Sequence, residues 1–180
     1  HLRRAVRPEP GRFDLASVKA FINCSEPCKS ATFDRFVQTF APLGARRDQM
    51  QVCYAMAESV FAVSQTVPGQ VAKTLRVRGD RLALHEVVPD EAGDVDMLSC
   101  GPLLAGCEAQ VEHTASDAYA SPVLNVGEIV ISAPFLFSGY YHRPEVTAQV
   151  LQGGRYRTRD LGFLHEGELY VLGRKDDLLI

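Results

Sequence analysis

Residues 18–58 read VKAFINCSEPCKSATFDRFVQTFAPLGARRDQMQVCYAMAE, and the fold is decided in this stretch. Val18, Ala20 and Ile22 fall on one side of a short extended run. Ser30 is placed to cap a helix in which Phe33, Phe36, Val37 and Phe40 recur at helical spacing. Pro42 and Gly44 stop that helix. Met50, Val52 and Tyr54 then alternate as a second strand. Strand, helix and strand with short links make a βαβ unit with a right-handed crossover, so the two strands run parallel. Their carboxyl ends share one edge, which is where open α/β sheets hold their ligands.

Two loops leave that edge, Asn23-Cys24-Ser25-Glu26-Pro27 and Tyr54-Ala55-Met56-Ala57-Glu58. Their small residues let a planar ligand approach the backbone. Tyr54 offers a flat face, and Glu58 a hard oxygen of the kind Mg²⁺ takes. Read alone, Glu58 is a solvated carboxylate at a helix start and Tyr54 a core residue at a strand end.

Outward from this unit the pattern changes twice. Residues 65–100 are polar and rich in turn signals, namely Pro68-Gly69, Arg78-Gly79-Asp80 and Pro89-Asp90. They carry no strong period and read as an insertion and linker with a little strand or helix. Arg78-Gly79-Asp80 is too short a match to be an adhesion motif. From residue 101 the chain turns strand-rich. Cys107, Ala109, Val111 and His113 alternate with Glu108, Gln110 and Glu112, and Glu128 to Ser132 forms another strand. Pro144-Glu145 opens a short helix through Leu151, where proline suits the first turn. Leu161–His165 and Leu169–Leu172 flank Glu166-Gly167, a hairpin signal. The fold class is α/β. The βαβ parallel-sheet portion of a larger domain (1–64) is followed by the insertion (65–100) and a small, mostly antiparallel subdomain (101–176).

Composition removes several alternatives. The 180 residues carry a net charge of -3, so no basic surface argues for nucleic acid. Arg3, Arg4 and Arg7 read as a solvated segment, and a second basic cluster is formed by Arg155, Arg157 and Arg159. No apolar run approaches the ~20 residues of a membrane span. Residues 1–12 are charged and hold two prolines, unlike a signal peptide. The five cysteines form no CxxC pair and share no metal-ligand spacing with a histidine, so they read as reduced, mostly buried thiols of a cytoplasmic protein.

Five segments, in order, resemble the motifs of adenylate-forming enzymes. Asn23-Cys24-Ser25-Glu26-Pro27 resembles their "GAEP" adenine-binding loop. Cys53-Tyr54-Ala55-Met56-Ala57-Glu58 resembles "YGxTE", in the "CYGLAE" form of the fatty acyl-AMP ligases. Gly139-Tyr140-Tyr141-His142-Arg143-Pro144-Glu145 is similar to "GYxxxPE", and Tyr156-Arg157-Thr158-Arg159-Asp160-Leu161-Gly162 to "YRTGDLG". Gly167 to Ile180, GELYVLGRKDDLLI, is similar to "GELYVTGRxKDxII". The long connection from Ser64 to Gly101-Pro102-Leu103 favours fatty acyl-AMP ligases over acyl-CoA synthetases.

The resemblance implies a role for each matching position. Ser25 and Glu26 border an adenine on which Tyr54 stacks, with Ala55 and Met56 alongside. Glu58 holds Mg²⁺ at the phosphates of ATP. Asp160 accepts from both ribose hydroxyls, as a carboxylate with two oxygens can. Arg174 approaches the ribose or phosphates with a fixed fork of donors. Asp176 stands at the hinge before a mobile lid domain, which residues 177–180 begin. Three positions depart from the motifs: Ala55 and Arg159 stand where glycine is usual, and Asp176 where fatty acyl-AMP ligases show lysine.

The sequence holds no "TSGSTGxPK"-like phosphate loop, and its first residue is His1, so it is expected to be an internal piece running from inside the large domain to the hinge. The implied activity of the parent is ATP- and Mg²⁺-dependent conversion of a carboxylic acid, most simply a fatty acid, to acyl-AMP. The acyl group would then pass to the phosphopantetheine thiol of an acyl carrier protein. The alternatives are an acyl-CoA synthetase or amino-acid adenylation domain, and a degenerate adenylation-like binding module without catalysis.

Overall fold

The computed structural model describes residues 6, 7, 9, 11, 13–24, 26–113 and 124–176. In the first part, β1 (Phe21–Asn23), α1 (Ser30–Phe40), β2 (Met50–Ala55) and β3 (Ala62–Gln65) follow one another. β1 runs parallel to β2, with Phe21 opposite Met50 and Asn23 opposite Val52. β3 returns antiparallel on the other side of β2. The expected βαβ unit is therefore present. Phe33 and Phe40 of α1 are buried, and Phe36 tilts between Phe21 and Phe40 at centroid distances of 5.2 and 4.8 Å. Gly44 ends the helical segment at φ 90°, and a Cβ there would come within 2.8 Å of Ala16.

Three details of this unit differ from the sequence reading. Ser30 is the first residue of α1 rather than its cap; its hydroxyl accepts from Arg47 Nη2 at 3.1 Å and is drawn away from the helix end. Ile22 is 47% exposed, while Phe21 packs on the core, so the side of β1 that carries Ile22 is the open one. β2 is buried on both faces from Met50 to Tyr54. Its alternating polar residue Gln51 is tolerated inside because its amide donates to Asp48 O and Gln70 O, at 2.8 and 3.1 Å.

The polar stretch after β3 is more ordered than its composition suggests. It holds β4 (Thr74–Val77), α2 (Gly79–Leu82), β5 (Glu86–Val87) and β6 (Val95–Leu98), with β4 and β6 paired antiparallel. Val77 and Val87 are fully buried and pack with Val126, Leu161, Phe163 and Tyr170. These apolar residues are spaced too irregularly to produce a period, yet they fold onto one site.

The remaining elements are β7 (Glu108–Glu112), β8 (Leu124–Asn125), β9 (Gly127–Ser132), α3 (Pro144–Val150), β10 (Leu151–Gln152), β11 (Arg155–His165) and β12 (Glu168–Arg174). An antiparallel sheet in the order β10-β11-β9-β7, with β12 also on β11, makes the expected strand-rich part. Glu166 and Gly167 join β11 to β12 at φ 49° and 77°, the doubly positive geometry of a two-residue hairpin turn. β11 lies between two cores. Tyr156 and Leu164 face a core shared with Val52, Tyr54, Ile129, Ile131 and Leu169, while Leu161 and Phe163 face the second. All five cysteines are reduced, with Cys53, Cys100 and Cys107 buried. Among the described residues no helix is long and apolar enough to cross a membrane.

Candidate functional site

The carboxyl end of β2 and the middle of β11 meet. Arg157 pairs with Val130, but Leu161 pairs with Glu128, so β11 has two more residues than β9 between these points. The surplus bulges out over Thr158–Asp160, and bulges re-aim side chains. Arg159 takes φ 61°, the left-handed region that glycine prefers. The bulge is pinned from inside by the Thr158 hydroxyl, which donates to Ile129 O at 2.7 Å and accepts from Asp160 N at 3.1 Å. Asp160 is thereby aimed at β2, where the Tyr54 hydroxyl donates to its Oδ2 at 2.5 Å. Arg174, its cross-strand partner, places Nε 3.1 Å from Oδ1. The carboxylate is 13% exposed, and the guanidinium 59%. A cross-strand ion pair at Asp160 and Arg174 thus coexists with the contact to Tyr54.

Glu58 follows in a single 3₁₀ turn, Ala57–Ser59. Its carbonyl accepts from Phe137 N at 2.8 Å. Its Oε1 accepts from the Tyr140 hydroxyl at 2.6 Å, and that hydroxyl lies 3.2 Å from the Tyr156 hydroxyl. Burial is the largest influence on both carboxylates and pushes both up. At Asp160 it prevails over the Tyr54 bond and the Arg174 charge, and Glu58 adds to it, so Asp160 sits above the usual aspartate value. At Glu58 the bonds from Tyr140, the backbone and Tyr156, with the Arg174 charge, outweigh it, and Glu58 sits below. Burial, then the charge of Asp160, holds the Tyr54 phenol far above its ordinary range.

Tyr54, Glu58, Asp160 and Arg174 therefore converge, drawn from β2, the turn after it, and the β11–β12 hairpin. Ala55 and Met56 link Tyr54 to Glu58; Ala55 is outside the left-handed region, as its side chain requires, and Met56 packs on the first core. Tyr54 is only 8% exposed and belongs to that core, so its hydroxyl is the part that meets the other site residues. Glu26 is exposed on the loop after β1, beside the β2 end by the parallel register. Ser25 lies outside the described residues. Arg159 turns away from Asp160, its Nη2 binding both carboxylate oxygens of Asp176 at 2.6 and 2.8 Å. Two of the three motif departures are thus partners of one another. Arg155 and Arg157 are matched by Glu112, and Arg157 also by Glu128, so the basic cluster read from the sequence is neutralised.

Tyr140, Tyr156 and Thr158 complete the site and were not singled out from the sequence. The signal was present, since all three lie inside quoted motifs, but a tyrosine in a motif does not reveal a partner 82 residues away. The cysteines are also less scattered than they read: Cys24 and Cys28 lie close enough to Cys53 to raise its thiol, and Cys28 does the same at Cys100.

Among the described residues no three or more His, Cys, Asp and Glu gather as a metal site. Mg²⁺ beside a nucleotide needs only one or two protein carboxylates, the rest being phosphate and water. Glu58, ionised and keeping lone pairs beyond its bond to Tyr140, fits that minimal role.

A parallel-stranded unit joined at its carboxyl edge to an antiparallel sheet is the architecture of the adenylate-forming enzymes' large domain, and solved members superpose on it. The crystal structure of fatty acid AMP ligase from Legionella pneumophila does so with a TM-score of 0.87 at 30% identity, over 99% of this chain and 32% of that one. The fatty acyl-adenylate ligase from L. pneumophila in complex with acyl adenylate and pyrophosphate gives 0.81 at 29% identity, over 99% and 33%. The chain belongs to the AMP-binding enzyme family, whose description matches residues 2–141. It is 32% identical over 192 residues to the medium-chain-fatty-acid–[acyl-carrier-protein] ligase JamA of Moorena producens (strain JHB), covering 99% of this chain and 32% of that protein. The chain spans about a third of the length of these relatives.

Proposed function

We propose that these residues form part of the site at which a fatty acid is converted to acyl-AMP, for transfer to a carrier-protein phosphopantetheine thiol. The observation that carries this reading is the meeting of Asp160 with Tyr54 at the carboxyl edge of the parallel strands, with Glu58 beside them. In the reaction the substrate carboxylate attacks the α-phosphorus of ATP, a P–O bond forms to the acid, and the bond to pyrophosphate breaks. Catalysis of this kind is mostly positioning and charge neutralisation. Asp160 has a free lone pair on each oxygen for a ribose diol, or exchanges Tyr54 and Arg174 for it. Arg174, more than half exposed, is then available to the phosphates, and Glu58 would hold Mg²⁺, which would offset phosphate charge. Asp176 serves as the hinge to a mobile lid. The relatives' names support the fatty acid and the carrier protein, and the complexed relative supports the adenylate.

The test is pyrophosphate exchange by the full-length protein over a panel of acids. Fatty acids should be the active class, and Asp160→Ala should weaken ATP binding by at least about 1.5 kcal/mol, the loss expected for a charged hydrogen-bond partner. Unchanged nucleotide affinity by calorimetry removes Asp160 from the site. Abundant acyl-CoA from fatty acid, ATP and coenzyme A would replace the carrier protein with coenzyme A as acceptor. Silence with retained ATP binding would leave only a binding module.

A further inference from the structure

The Gly139–Glu145 motif has no role in the reaction as proposed, yet its tyrosine reaches the centre of the site. Tyr140 is held from three directions. Its backbone N–H donates to Thr147 Oγ1 of α3 at 2.9 Å. Gly139 before it takes φ 144°, and a Cβ there would meet Thr147 Cγ2 at 2.7 Å, so the close approach of this loop to α3 needs glycine. Its ring meets Phe137 edge-on at 4.9 Å, and Phe137 in turn meets Tyr156 edge-on at 5.3 Å. Phe137 also donates its backbone N–H to Glu58 O. A rigid aromatic unit therefore grips both the backbone and the carboxylate of one residue.

We propose that Tyr140 is a positioning residue, whose hydroxyl, backed by Tyr156, fixes the Glu58 carboxylate in one orientation. It rests on the reading of Glu58 as the carboxylate nearest Mg²⁺. The charged and titratable groups around Glu58 are Tyr140 on the loop before α3, Tyr156 and Asp160 on β11, and Arg174 on β12. Of the two phenols, Tyr140 makes the 2.6 Å bond. Groups one step behind a metal ligand commonly change metal affinity by about 10- to 100-fold when removed.

The experiment compares Tyr140→Phe with the unaltered full-length protein. Phenylalanine keeps the ring and its packing on Phe137, and a thermal melt within a few degrees of the parent establishes that the fold is kept; Tyr156→Phe serves as the second variant. The first readout is the crystal structure of each variant, in which the orientation of the Glu58 carboxylate is seen directly. Tyr140→Phe should leave the Glu58 carboxylate in more than one orientation, and Tyr156→Phe should disturb it less; a carboxylate held as in the parent in both variants overturns the proposal. The second readout is Mn²⁺ affinity in the presence of ATP, followed by the electron paramagnetic resonance of free Mn²⁺. It should fall about tenfold in Tyr140→Phe, while the KM for fatty acid stays unchanged. A released carboxylate with unchanged Mn²⁺ affinity supports the tyrosine's hold on Glu58 and removes Glu58 from the metal, so the two outcomes fail separately.

Discussion

Asp160 and Glu58 are both pushed up by burial, and what separates them is that Asp160 is the more deeply buried and Glu58 receives the more donors. The consequence for stability has opposite sign at the two positions. Asp160, raised above its ordinary 3.8, contributes fully below that value and loses its contribution as pH rises through its folded pKa. Glu58, lowered from 4.5, contributes above that value and loses it as pH falls through its folded pKa. The Tyr54 hydroxyl is the first of the groups restraining Asp160, so Tyr54→Phe should raise the Asp160 midpoint further, read as its ¹³C carboxyl titration. An unmoved or lowered midpoint would mean that the 2.5 Å bond does not persist in solution. Tyr54, Glu58, Asp160 and Arg174 were legible in the sequence as candidates, because each belongs to a compact motif. That Asp160 leans on a tyrosine 106 residues earlier was not, since no local pattern encodes a contact across two sheets.

The bulge in β11 is the element that makes the site, and it was hidden by Arg159. A glycine there would have marked the break in the strand; arginine in a left-handed conformation conceals it. The hairpin that follows was legible, because Glu166-Gly167 is turn chemistry confined to two residues. Between bulge and hairpin the strand is clamped at Gly162, where an added Cβ would meet the carbonyl oxygen of Tyr170 at 2.3 Å and Ile129 Cδ1 at 2.7 Å. The first of these is backbone within the sheet and cannot swing away. Gly162→Ala should therefore destabilise the chain by about 1–3 kcal/mol, the usual cost of overpacking. A urea midpoint equal to the parent's would show that the β11–β12 spacing is softer than its contacts imply.

At the scale of the molecule, one core serves both sheets. Val52 and Tyr54 of the parallel unit pack in the same cluster as Ile129, Ile131 and Leu169 of the antiparallel sheet. The ladder is extended by backbone bonds between Cys100, Gly101 and Leu169, at 2.8 and 3.0 Å. The division into a parallel and an antiparallel part was legible from periodicity, whereas the sharing of a core was not, because residues 65–100 conceal it behind a polar composition. Ile131→Ala, at 1% exposure, should cost about 2–5 kcal/mol and loosen both sheets together. The measurement is the rate at which an alkylating reagent reaches Cys53 beside β1 and Cys100 beside β12. Both rates should rise in step; acceleration of one alone would mean that the two parts open independently.

That measurement is available because burial raises Cys28 to about 11, and Cys53 and Cys100 to about 12. At neutral pH these side chains are almost entirely protonated, and it is the thiolate that reacts. Exposure to water would return each towards an ordinary thiol value. The folded chain thus carries silent reporters that become audible only while the structure is open, a stopwatch set into the sheet edge beside the site it would time.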